Sequence, residues 1–152
     1  MSATPRVIVT ELEVLLPSKV SGTAAAALPA SALEHLGRAQ HTGARLYLLA
    51  PPLARSDGAD LDEVLARCER VARQLQDSGS RLEGALLPER GDDATAMTVA
   101  ELSELCRRLQ CEADSLELVA ASSALREAAG ELGVARVHAA TADAPFPHLG
   151  EA

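Results

Sequence analysis

Aromatic side chains are almost missing from this chain of 152 residues: Tyr47 and Phe146 are the only two, and there is no tryptophan. Lysine is nearly missing as well, since Lys19 stands alone among thirteen arginines. The formal net charge is −8, so the long-range field repels phosphate backbones. No stretch interleaves basic with aromatic residues, and together these absences exclude a nucleic-acid surface. No apolar run approaches the ~20 residues that span a bilayer, and the opening "MSATPR" lacks the apolar segment of a signal peptide. The expectation is a soluble, cytoplasmic protein with no membrane contact. Cysteine is sparse, with Cys68, Cys106 and Cys111. An odd count without a secretory signal fits reduced thiols. Cys106 and Cys111 make a C-x4-C inside a helical pattern, and no further Cys or His stands near enough in sequence to complete a zinc site. The three therefore read as small buried hydrophobes.

What is present is aliphatic. Apolar residues make up 47% of the chain and alanine alone roughly a fifth, enough for one domain with a core of Leu, Val and Ala. Strand-like and helix-like segments alternate throughout. "RVIVTELEV" is β-branched and reads as the first strand. Ser31 and Glu34 have the spacing of a capping box for a helix ending at Gly43. "ARLYLLA" reads as the second strand. Asp60 and Glu63 repeat the capping pattern ahead of a stripe of Leu61, Val64, Leu65, Cys68, Val71, Ala72 and Leu75. "RLEGALLP" reads as the third strand, "ERGDDATAM" as a polar loop, and Thr98 with Glu101 as the start of a helix directing Val99, Leu102, Cys106 and Leu109 inward. "SLELVAAS" is the fourth strand, "SALREAAGELG" a short helix and "VARVHAA" the fifth strand. The domain is placed at residues 1–140, followed by a proline-bearing tail at 141–152.

Five strands alternating with four helices predict an α/β domain with a parallel sheet and right-handed crossovers. Ligand sites in such sheets lie beyond the carboxyl ends of the strands, where the strand order reverses. That directs attention to the residues after Val9, Leu49, Leu87 and Val119. After the first strand come Thr10, Glu11 and Glu13, which read as solvated charges or as the remnant of an anion or metal site. After the second comes Ala50. After the third, Asp92 and Asp93 read as turn chemistry that could supply a ligand. After the fourth, Ser122 and Ser123 read as a helix N-cap able to accept an anion. His35 and His41 are expected to face solvent, and His138 to sit in the core or at an edge. None lies in a visible nucleophile motif.

In order and content these segments resemble the haloacid dehalogenase-like phosphatases, over nearly the whole chain, and in particular the small capless histidinol-phosphate and heptose-bisphosphate phosphatases. The resemblance implies a three-layer α/β/α fold with five parallel strands and no cap domain. That family opens on a strand followed by D-x-D-G-T-L. With one residue deleted, Glu11 and Glu13 take the two aspartate positions; an ungapped register puts Thr10 and Leu12 there instead. A Ser or Thr that ends the second strand in the family is Ala50 here. A lysine near the start of the third helix has no counterpart in "GDDATAM". The acidic motif after the fourth strand is "VAASSALREAAGELGV", in which Val119, Ser122, Ala128, Ala129, Gly133 and Val134 match the flanks while Ala120, Ala121 and Leu125 stand for the acids.

The changes bear on chemistry. In-line phosphoryl transfer needs the attacking carboxylate about 3 Å from phosphorus, and glutamate reaches one methylene further than aspartate. Magnesium needs a shell of oxygens that two alanines do not offer. The resemblance therefore implies a pseudophosphatase without cofactor that binds a protein partner or assembles as a homo-oligomer. Ala24, Ala25, Ala26, Ala27 and Leu28, in the flap region, are the interface candidates. Two alternatives remain: a divergent magnesium-dependent phosphatase using Glu11 as nucleophile and Glu13 as acid/base, and a small-ligand or nucleotide-binding module like the universal stress proteins, whose Gly-rich nucleotide loop is not visible in this chain.

Overall fold

A computed structural model describes residues 6–15, 28–50, 61–88 and 93–140, with Glu13 and Leu61 described by their backbone alone. Five strands, β1 (Val7–Glu11), β2 (Arg45–Leu49), β3 (Gly84–Leu86), β4 (Leu116–Ala120) and β5 (Arg136–Ala139), form one sheet in the order β3-β2-β1-β4-β5. Every pairing is parallel, with Val7 opposite Arg45 and Leu116, Tyr47 opposite Gly84, and Glu117 opposite Arg136. The helices are α1 (Leu12–Leu15), α2 (Ala30–His41), α3 (Leu61–Asp77), α4 (Ala94–Leu109) and α5 (Ser123–Leu132).

The period-two alternation of β1 sorts the molecule into layers. Ile8 joins Leu46, Leu48 and Val119 in a core shared with α1, α2 and α3, through residues such as Leu12, Leu36, Val71 and Leu75. Val7 and Val9 face the other way, into a core with Leu118, Leu102 and Leu105 of α4, and Leu125 and Ala129 of α5. The sheet is thus covered on both faces, as a parallel sheet requires. Because the chain runs from β1 outward to β3 and then returns to β4 on the other side, the order reverses between β1 and β4. The crevice at the carboxyl ends of these two strands is the topological switch point.

Several boundaries differ from the sequence reading. The first strand stops at Glu11, and Leu12–Leu15 turn into a short helix whose Leu12 and Leu15 are buried. Helix α2 begins one residue before Ser31: its cap position is Pro29, whose carbonyl accepts from Ala32 N and Leu33 N, so Ser31 is inside the helix. Helix α4 begins at Ala94 with Asp93 as its cap, and Thr98 is a buried helical residue. Its hydroxyl donates to the carbonyl of Ala94 at 2.8 Å, which lets a threonine sit in the core stripe with Leu102 and Leu105. Val99 and Cys106 are only half-buried. On α3, Leu65 is 42% exposed, while the inward stripe runs through Val64, Cys68, Val71 and Leu75. Asp60, Ala24–Ala27 and the tail at 141–152 fall outside the described residues. No described helix is long and apolar enough to cross a membrane.

Candidate functional site

Glu11 is the last residue of β1, and the alternation of the strand directs its side chain to the α4/α5 face. It is 6% exposed. Its Oε1 accepts three hydrogen bonds of 2.9 Å each, from Ala121 N, Ser122 N and Ser122 Oγ. All three donors belong to the turn between β4 and α5. Ser122 is also the N-cap of α5, its Oγ accepting from Leu125 N at 3.2 Å. One hydroxyl therefore gives its proton to Glu11 and its lone pair to the helix. The carboxylate sits where backbone N–H groups and the positive end of a helix dipole converge, which stabilises an anion without any basic side chain.

The sequence candidates separate around this centre. Glu11 and Ser122 are in direct contact across the switch point, and Ser123 follows as the first residue of α5. Thr10 points to the opposite face, fully buried, and among the described residues its Oγ1 has no hydrogen-bond partner. Ala50 is buried beyond the end of β2, with its N–H donated to Leu86 O at 2.9 Å. Asp93 is spent on the cap of α4, where Oδ1 accepts from Ala96 N at 3.0 Å. Glu13 is the second residue of α1, two residues beyond the strand, and Asp92 lies outside the described residues. Leu28 is not an exposed interface residue: it is 6% exposed and belongs to the α2/α3 core, and its N–H donates to Gln74 Oε1 at 2.7 Å. His41 is exposed as expected, whereas His35 is half-buried.

A metal site is not assembled by these side chains. Among the described residues, no three His, Cys, Asp or Glu side chains come together as a metal group. The turn after β4, which would have to supply oxygen ligands, offers Ala120 and Ala121, and the three donors of this turn already point at Glu11. Among the described residues the donor set does not fit magnesium.

Three solved structures share this architecture. The D,D-heptose 1,7-bisphosphate phosphatase from B. bronchiseptica, complexed with magnesium and phosphate, superposes with a TM-score of 0.64 at 13% identity, covering 86% of this chain and 78% of that one. The cobalt-bound deoxy-D-mannose-octulosonate 8-phosphate phosphatase from Haemophilus influenzae gives 0.53 at 12% identity, covering 90% and 68%. A hypothetical protein from Xanthomonas campestris gives 0.54 at 15% identity, with 90% and 64% covered. The fold is haloacid dehalogenase-like. No family model and no curated protein matches the sequence. At these identities the haloacid dehalogenase-like architecture is what is shared, and it locates Glu11 and the turn after β4 at the switch point where such folds hold their ligands.

The sequence reading missed a second buried carboxylate. Glu117, the second residue of β4, is 1% exposed. Arg6 Nη2 lies 2.8 Å from its Oε2 and 3.2 Å from its Oε1, Arg6 Nε lies 3.2 Å from Oε2, and His138 Nε2 lies 3.1 Å from Oε1. The only sequence signal was an acid embedded in the apolar run "SLELVA", since Arg6 stands 111 residues away and His138 21.

Proposed function

We propose that this haloacid dehalogenase-like domain is catalytically silent and works by binding another protein or by assembling with copies of itself. The observation that carries the reading is the saturation of Glu11 Oε1 by Ala121 N, Ser122 N and Ser122 Oγ. A nucleophilic carboxylate must present an oxygen to phosphorus at about 3 Å, in line with the leaving group. Three donors on Oε1 draw charge from the delocalised carboxylate and hold it against the protein's own turn. None of the described residues is a lysine, so no lysine among them offsets the repulsion between a carboxylate and a phosphate ester. In this reading Glu11 is a strut between β1 and β4, occupying the space where a ligand anion would sit.

The test is hydrolysis of an aryl phosphate and a panel of phosphate esters with magnesium present, for the wild type beside Glu11→Gln. Equal background in both proteins supports the silent domain. Turnover lost in Glu11→Gln overturns it in favour of a divergent phosphatase, the reading favoured by the position of Glu11 at the end of β1. The assembly half of the proposal is tested separately, by sedimentation of the wild type and an Ala25→Glu/Ala26→Glu variant. A defined oligomer that the two charges dissociate supports the flap as the interface. An unchanged sedimentation profile counts against it.

A further inference from the structure

The C-terminal end of α4 carries a feature independent of the strand-end crevice. In a continuing α-helix, Cys106 and Cys111 would lie about 140° apart around the axis and could not meet. The helix does not continue. Gln110 adopts the left-handed conformation, φ 53°, as the one described non-glycine residue with positive φ. Gln110 N donates to Arg107 O at 3.3 Å, and Cys111 N donates to Cys106 O at 3.0 Å. This is the paired bonding of a Schellman turn, which brings the side chains three residues inside and two beyond the helix end into contact. Here both of those residues are cysteines. The turn sets both side chains, half-buried and free, against the α4/α5 core. A left-handed glutamine costs ~1 kcal/mol relative to glycine, so the turn holds the pair together at some expense.

We propose that Cys106 and Cys111 form a thiol–disulfide exchange site whose co-reactant is a low-molecular-weight disulfide such as oxidised glutathione. The Cys111 thiolate attacks one sulfur of the small disulfide, forming a mixed disulfide and releasing one small thiol. Cys106 then loses its proton to solvent and attacks the Cys111 sulfur, expelling the second small thiol as a thiolate that takes up a proton. Two protein thiols are oxidised, one disulfide is reduced to two thiols, and protons and electrons balance. The order of attack follows from the surroundings. Burial, the neighbouring Cys111 and the charge of Glu112 push Cys106 up to about 11, which disfavours its thiolate and suits it to the second, intramolecular step. A disulfide needs Cα atoms about 4.4–6.8 Å apart, and the turn already draws these two backbones together through a direct hydrogen bond.

The experiment equilibrates the full chain in glutathione buffers of graded ratio, quenches with acid, alkylates the remaining thiols under denaturing conditions and reads intact and peptide masses. The native protein is expected to lose two hydrogens as a single species, with alkylatable thiols falling from three to one, the survivor being the buried Cys68. The urea-unfolded chain, treated in parallel, should need at least about tenfold more oxidised glutathione for the same conversion, because only the fold holds the pair together. Cys106→Ser and Cys111→Ser should each stop at a mixed disulfide on the remaining thiol. Equal oxidation of native and unfolded chains, a wild type that accumulates two glutathione adducts, or one that stays reduced where the unfolded chain oxidises would each overturn the proposal.

Discussion

Two glutamates are buried in this sheet, on neighbouring strands, and they are held by opposite means. Glu117, on the α1/α2/α3 face of β4, is met by the guanidinium of Arg6 and by the His138 ring. Glu11, at the carboxyl end of β1 on the other face, is met by two backbone N–H groups and one hydroxyl, with no cation among its described partners. Within the strand the peptide groups are committed to the ladder, so a carboxylate must bring its own counter-charge. At the strand ends, the turn into α5 presents free N–H groups and a helix dipole, so an anion is accommodated by dipoles alone. The contrast explains why the carboxyl end of such a sheet is where ligands bind, and why an internal carboxylate can take that place.

The largest effect is expected from breaking the Arg6–Glu117 pair. Arg6→Met leaves the Glu117 carboxylate buried against a single imidazole, a loss of ~3–5 kcal/mol. Against a total of about 5–15 kcal/mol for a domain, urea denaturation should find the variant close to unfolding at 25 °C. Adding Glu117→Leu should recover most of the loss, since a matched apolar pair removes the stranded charge. A double variant no better than the single one would mean that Arg6 contributes through packing and not through its charge.

Glu11→Ala comes next. It deletes an acceptor of three bonds and leaves two backbone donors at a half-exposed turn where water can reach them, for a loss of ~2–3 kcal/mol. Glu11→Gln keeps an oxygen in place and should lose about 1 kcal/mol, the charge-assisted part. If Glu11→Ala instead matches the wild type in urea, the strut reading fails and Glu11 becomes free for chemistry. Ser122→Ala removes one donor to Glu11 and the cap of α5 together, and ~1–2 kcal/mol is expected in the same measurement.

The architecture was legible because aliphatic periodicity carries it. The stripe of α3 and the β-branched start of β1 are local signals, and five strands alternating with helices admit few topologies. The helix starts were not, for specific reasons. Ser31 and Thr98 had the right residue type and spacing for caps, yet Pro29 fixes the entry to α2 and Asp93 captures Ala96 N one turn before Thr98. A capping pattern counts possible bonds and cannot rank competitors. At the site, Ser122 was recognised as an N-cap with room for an anion, and Glu11 as a strand-end acid. That each is the other's partner was hidden, because the two stand 111 residues apart and only the β1–β4 pairing brings them together. The position of Cys111 beside Cys106 was hidden in the same way by one left-handed residue, Gln110.

The smallest effect is expected at Thr10, which sharpens the comparison by supplying a polar group with neither solution. It is the neighbour of Glu11 in sequence and fully buried, but its Oγ1 has no partner among the described residues. It lies between Leu48 and Val119 in the sheet. A hydroxyl buried without a partner is destabilising by ~1–3 kcal/mol relative to an apolar group of the same shape, part of which the stiff, β-favouring threonine backbone offsets. Thr10→Val keeps the branch and the volume and removes the unpaired oxygen. The urea midpoint should rise by the equivalent of ~0.5–1 kcal/mol with an unchanged slope. Phosphatase background should not move, because Thr10 faces away from the switch-point crevice. A loss of stability would mean that the hydroxyl has a partner in solution. Coupled to a change in activity, it would shift attention from Glu11 to the ungapped register in which Thr10 takes the first acidic position.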